Sequence, residues 1–175
     1  MFERFTHEAR EAVIATQDVA RETGTRTIDT RHLALVLADR AGPARDALAA
    51  VGVDPRRIAE DLARELSGDG LDADALAGLG IDLEAVRSAA DRTFGAGALD
   101  RARRRSTRRQ GFGKDARKAL ELALREALRQ RDRRIDGGHL LLGVLRASCP
   151  GRDALVRAGV DVDDLRAAVE GRSAA

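Results

Sequence analysis

Few side chains in this sequence suit chemistry, and their spacing narrows the options further. There are three histidines, His7, His32 and His139, and one cysteine, Cys149. His32 and His139 follow matching pairs, Ile28-Asp29 and Ile135-Asp136, by the same interval. Two histidines in equivalent settings suggest a shared metal. A zinc centre needs three or four ligands, however, and no cysteine or third histidine joins them. The plainer reading is a structural histidine in the first turn of each of two equivalent helices. Cys149 precedes Pro150 with no base or orienting group beside it, so it lacks what a nucleophile requires. A single cysteine also excludes an internal disulfide. No G-x-x-x-x-G-K-[ST] phosphate loop occurs. The expectation is a non-enzymatic chain with no metal and no cofactor.

Charge supplies the next candidate. Of 31 basic residues only Lys114 and Lys118 are lysines, and the net charge is just +2. The dense block is Arg101, Arg103, Arg104, Arg105, Arg108 and Arg109, set between Gly97 and Gly111. Such a block offers salt-dependent, sequence-neutral contacts to phosphates. No aromatic residue interleaves with it, so base stacking is not offered. A like-charge run of this kind is more often a solvated linker. Anionic partners, including nucleic acid, are the alternative functional reading. The longest apolar runs, such as Leu140–Leu145, are far too short for a membrane span, and Met1-Phe-Glu-Arg-Phe5 has no signal-peptide core. A cytoplasmic location is expected.

The elements that must position these residues form a repeat. Phe5-Thr-His-Glu-Ala-Arg10 aligns with Phe112-Gly-Lys-Asp-Ala-Arg117, and the offset of 107 persists without a gap. Ile28-Asp29, His32-Leu33, Pro43, Arg45-Asp-Ala-Leu48 and Gly52-Val-Asp54 all recur at that offset. Each repeat reads as four helices with recognisable caps. Thr6 opens the first, with Glu8 placed where its own helix dipole favours negative charge. Thr30 is expected to cap the second, His32 to about Asp39. Gly42-Pro43 starts the third and Gly52 ends it. Asp54-Pro55 opens the fourth, and Asp161 plays that part in repeat two. Leu76…Gly80-Ile-Asp82 echoes the helix–Gly–Asp-cap–helix corner a third time.

The expected fold is therefore all-α: a pseudo-twofold tandem repeat of two four-helix units, with an extra inserted helical pair and an Arg-rich linker. The boundaries are 1–66 for repeat one, 67–94 for the inserted pair and 95–111 for the linker. Repeat two covers 112–170, with a tail at 171–175. The two repeats together form one domain.

The opening Met1-Phe-Glu-Arg-Phe-Thr6, the segment Ala9-Arg10…Val13…Gln17…Ala20 and the doubled Ile-Asp-x-x-His-Leu corners carry a resemblance. So does Lys118-Ala-Leu-Glu-Leu-Ala-Leu-Arg-Glu-Ala-Leu128. They resemble the N-terminal (Clp R repeat) domain of ClpC/ClpA-type AAA+ unfoldases. The resemblance implies a non-catalytic module that recruits peptide segments, unfolded substrates and adaptor proteins. With no ATPase motif in the sequence, it reads as a free-standing Clp N-like protein that assists or competes with a separate Clp unfoldase. A decoy that sequesters cyclic-peptide antibiotics is a specific form of that reading.

In such domains the N-terminal Phe and the first helix of each repeat form the peptide-binding face. The matching positions here are Met1, Phe2, Arg10, Val13, Gln17, Phe112, Arg117, Leu120, Glu121, Leu124 and Leu128. Arg10, Val13 and Gln17 share one helical face, as do Arg117, Leu120, Glu121, Leu124 and Leu128. The competing reading makes the leucines core and the charges a solvated rim. Some relatives bind phosphoarginine through a glutamate in a Gly-Thr-Glu-His corner. The corners here are Asp29-Thr-Arg31-His32 and Asp136-Gly-Gly138-His139. With both glutamates gone, phosphoarginine binding is expected to be weak or absent.

Overall fold

The computed structural model describes residues 2–25, 27–67, 80, 82–97 and 110–172. After a 3-10 turn at Phe2–Arg4, repeat one contains α1 (His7–Glu22), β1 (Thr27–Ile28), α2 (Thr30–Asp39), α3 (Pro43–Ala50) and α4 (Pro55–Leu66). Next comes α5 (Leu83–Phe94). Repeat two contains β2 (Gly111–Phe112), α6 (Lys114–Arg129), α7 (Gly137–Arg146), α8 (Pro150–Arg157) and α9 (Val162–Arg172). The all-α tandem repeat is thus present, with one two-residue strand in each half.

Local chemistry explains the helix ends. Thr6 Oγ1 accepts from Ala9 N at 3.1 Å and opens α1. Gly42 and Cys149 precede Pro43 and Pro150, each of which fills a first-turn position where the missing N–H costs nothing. Gly52 and Gly159 follow α3 and α8 with φ of +80° and +86°, a conformation that glycine adopts without strain. Asp54, Asp82 and Asp161 cap the helices that follow; at the middle corner Leu76 to Leu79 and Ile81 lie outside the described residues. Of the expected inserted pair, α5 is described; residues 68–79 and 81, where its first helix was placed, lie outside the described residues.

One cap differs from expectation. Asp29, not Thr30, caps α2, and the helix begins at Thr30. An aspartate accepts from the backbone at a cap at least as well as a threonine. Thr30 is thereby freed for another contact, described below.

The second helices, α2 and α7, form the centre. Nearly every residue of both is buried, which fits their almost unbroken apolar sequences. Around them the repeats interlock. α3 of repeat one packs on α7 of repeat two, and α8 of repeat two packs on α2 of repeat one. β1 and β2 pair in parallel across the repeats, Ile28 opposite Phe112. The equivalent partners, Phe5 and Ile135, form the matching bridge. The fourth helices break the symmetry. α4 packs on α2 of its own repeat, whereas α9 lies across α3 as well as α7.

Candidate functional site

The expected binding face is built on the two first helices. α1 packs on α2 and α7, and α6 packs on α7 and α2, so both flank the same central pair. Their inner sides join the core: Val13 is 2% exposed and Leu120 is 8% exposed. These two side chains pack with the core cluster rather than facing solvent, because their turn of each helix points at α2 and α7. The outer sides carry the rest. Arg10 is exposed and Gln17 is half-buried. Leu124 and Phe112 are partly buried against the core, and Leu128 is 54% exposed. Ile14, one turn along from Arg10, is 47% exposed and was not singled out from sequence. Phe2 belongs to the opening turn, and Met1 lies outside the described residues.

Two of the charges on this face, Glu121 and Arg117, are already engaged. Glu121 accepts from Lys118 Nζ at 3.1 Å and from Arg125 at 2.5 Å, and these bonds hold its carboxyl below the usual range. Arg117 Nε donates to the Gly113 carbonyl at 3.4 Å. The block from Arg101 to Arg109 lies outside the described residues.

The two histidines have a clear structural task. Each takes the third position of its helix and completes a reciprocal cap. The Asp29 N–H donates to His32 Nδ1 at 3.2 Å, and the Asp136 N–H donates to His139 Nδ1 at 3.3 Å. A neutral ring that accepts at Nδ1 carries its proton on Nε2. His32 Nε2 is 2.8 Å from Thr25 Oγ1; His139 Nε2 is 3.1 Å from Asp132 Oδ2. Thr25 and Asp132 are themselves equivalent by the offset of 107. Among the described residues, no group of three His, Cys, Asp or Glu side chains is placed to hold a metal ion.

The Asp29–His32 and Asp136–His139 corners differ from each other. In repeat one, Arg31 is engaged on both sides, with Nη2 2.6 Å from Asp29 Oδ2 and Nη1 2.9 Å from Glu65 Oε1. Glu65 also receives Arg157 of repeat two at 2.8 Å. Burial alone would raise the Asp29 carboxyl, but the adjoining His32 ring and the hydrogen bonds from the Arg31 side chain and N–H outweigh it and hold it far below its usual value. In repeat two, a Cβ on Gly138 would lie 3.0 Å from Val169 and 3.6 Å from Pro43. α9 and α3 therefore close over the place where a longer side chain would extend.

Sequence reasoning missed three features. Glu8 lies in the first turn of α1 as expected, and its Oε2 also accepts from Gly137 N, at the start of α7, at 3.1 Å. Asp115, its equivalent, accepts from both Thr30 N (2.9 Å) and Thr30 Oγ1 (3.0 Å) at the start of α2. Each repeat thus caps the central helix of the other. The third feature is Glu126, whose side chain is 1% exposed yet ionised by its surroundings. Arg146 Nη1 and Arg129 Nε donate to it at 2.8 and 2.9 Å, and Arg166 lies 3.7 Å away. Burial alone would raise its pKa, but those hydrogen bonds and charges bring it below the ordinary carboxyl value. Its counterpart in repeat one is Val19, so the repeat gave no signal of this network.

The interlocked double repeat of helices, with its reciprocal caps, defines a class. The chain belongs to the Clp repeat (R) N-terminal domain family, which matches residues 4–68, 66–155 and 111–174. The middle match runs through the segment that holds the third corner. The chain is 30% identical over 168 residues to the chaperone protein ClpB 1 of Parasynechococcus marenigrum, covering 95% of this chain but 16% of that protein. Its fold is similar to the N-terminal domain of the caseinolytic protease associated chaperone ClpD from Arabidopsis thaliana. That likeness has a TM-score of 0.63 at 20% identity, covering 98% of this chain and 99% of that one. It is also similar to the Hsp104 N-terminal domain from Candida albicans, with a TM-score of 0.65 at 13% identity over 94% and 88% of the two chains. No helix among the described residues is long and apolar enough to cross a membrane.

Proposed function

We propose that this chain is a non-catalytic peptide- and protein-binding module that captures peptide segments, unfolded substrates or adaptors in association with Clp proteolysis. Family membership supports the class. The observation that carries the site is the outer side of the first helices: Ile14 is exposed on α1, and on α6 the exposed Leu128 follows the partly buried Leu124 by one turn, with Arg117 and Glu121 on the same helix. Burying an exposed leucine against a ligand contributes about 1.5–3 kcal/mol, and oriented charges add specificity. Binding of cyclic-peptide antibiotics, as a decoy for an unfoldase, is the specific form of this reading.

Phosphoarginine is a poor fit. Arg31 already satisfies the acids of the first corner, and Gly138 is covered at the second. Calorimetric titration with a cyclic peptide and with an unfolded protein tests the proposal. Phe2→Ala, Leu124→Ala and Leu128→Ala are expected to weaken binding about tenfold each, close to the value of one buried side chain. Leu128→Ala should leave stability within about 0.5 kcal/mol of wild type, as exposed positions do. If all three variants bind every ligand as wild type does, the face is not the site.

A further inference from the structure

Four arginines converge on one corner of repeat two. The turn after α6 reads Arg131-Asp132-Arg133-Arg134, and Arg131, Arg133 and Arg134 are exposed. Arg4 joins them through the backbone, because the Ile135 N–H donates to the Arg4 carbonyl at 2.8 Å. Phe5 and Ile135 pair in parallel and are buried. Arg4 and Arg134, each just before one of this buried pair, are both exposed.

Among the described residues, none of these four guanidinium groups has an ion pair or a side-chain hydrogen bond, whereas Arg21, Arg31, Arg64, Arg125, Arg129, Arg146, Arg157 and Arg166 all do. The one acid in the turn does not neutralise them: Asp132 reaches inward to His139 Nε2. Glu3, in the opening turn, and Asp136, which caps α7 two residues after Arg134, are the other acids nearby in sequence. The repeat gives an internal comparison. The equivalent turn of repeat one is Gly24-Thr25-Arg26-Thr27, with Gly111 in the place of Arg4. Arg133 alone has a basic counterpart, Arg26, so the shared fold does not need arginine at the other three positions. The negative end of the α6 dipole favours a cation at Arg131, but it falls off within a turn and does not explain Arg133, Arg134 or Arg4.

We propose that this corner, formed by Arg4, Arg131, Arg133 and Arg134, is a docking surface for a Glu/Asp-rich protein segment. Arginine forks match carboxylates in bidentate geometry, and four unpaired ones attract a run of acids at long range. An acidic protein segment fits better than nucleic acid. Its charge is confined to one turn and its neighbour, and the chain's net charge is only +2. This goes beyond the proposed apolar face, and the two can fail independently.

The test is fluorescence anisotropy with a labelled poly-glutamate decapeptide at low salt. Wild type is expected to bind, and Arg4→Ser/Arg133→Ser/Arg134→Ser to bind at least about tenfold more weakly. Raising salt from 20 to 200 mM should weaken wild-type binding steeply. The control is Arg56→Ser/Arg57→Ser on α4, a second exposed arginine pair, which should bind as wild type does. Cyclic-peptide titration of the triple variant should match wild type, which separates this surface from the apolar face. The proposal fails if the decapeptide does not bind, or if the α4 variant loses as much affinity. It also fails if an oligothymidylate of equal charge binds as tightly as the peptide through the same arginines.

Discussion

Replacing Asp115 with alanine should show how much the reciprocal caps hold the repeats together. The Asp115 carboxylate accepts two bonds from Thr30, at 2.9 and 3.0 Å, and Thr30 is fully buried. Thr30 Oγ1 in turn accepts from Gly151 N at 2.9 Å, so one carboxylate ties α6, α2 and α8 together. Losing a side-chain cap costs about 1 kcal/mol, and leaving a buried N–H without a partner costs about 1–3 kcal/mol. Asp115→Ala should therefore destabilise by about 2–4 kcal/mol, lowering Tm by roughly 4–16 °C for a domain of this size. Glu8→Ala removes the bond from Gly137 N at 3.1 Å and should cost about 1–2 kcal/mol. Urea denaturation of each variant supplies the numbers. Pairing Asp115→Ala with Thr30→Ala should show coupling of roughly 1 kcal/mol, since the two share a hydrogen bond. The reasoning is refuted if Asp115→Ala costs under about 0.5 kcal/mol, or if it and Thr30→Ala are additive.

Two further outcomes follow from the packing. Glu126→Gln should destabilise at neutral pH by about 1–3 kcal/mol, because it weakens two charge-assisted bonds to a buried acceptor. The folded pKa of Glu126 is lowered, so its contribution is complete above the unfolded carboxyl value and is lost as pH falls. Denaturation at pH 7 and pH 3 should show the gap to wild type narrowing in acid; a gap that widens counts against the network. Gly143→Ala should cost about 2–3 kcal/mol, measured the same way. A Cβ there collides with the Ala119 carbonyl oxygen and comes 2.8 Å from Ala123 N, at the crossing of α7 over α6. Wild-type stability in that variant would mean the helices cross with more room than the structure shows.

Much of the local structure was legible because it is written in short-range signals. Thr6, Gly42-Pro43, Gly52, Asp54-Pro55 and Asp161 act on backbone groups within a few residues, so position in sequence is nearly position in space. The histidines were placed correctly as structural for the same reason: a third-position side chain reaches its own cap. The assignment of Thr30 as a cap missed because Asp29 competes for the position one residue earlier. The candidate face was legible only by halves. Helical spacing groups Arg10, Val13 and Gln17, but it does not say which edge of that group meets the core. Val13 and Leu120 proved to be core, while Ile14 and Leu128 are exposed.

The offset of 107 established by itself that two units are equivalent, and with the caps it placed the helices of both repeats, the start of α2 excepted. It did not determine which unit supplies each neighbour. Phe5 beside Ile28 and Phe5 beside Ile135 satisfy the same repeat, as do Glu8 capping its own α2 and Glu8 capping α7. Only the tertiary structure decided for exchange, with Phe5 on Ile135, Phe112 on Ile28, Glu8 on α7 and Asp115 on α2. The physical reason is that α2 and α7 are apolar nearly all round. Each is buried only when elements from both repeats surround it, so the chain must interleave its halves.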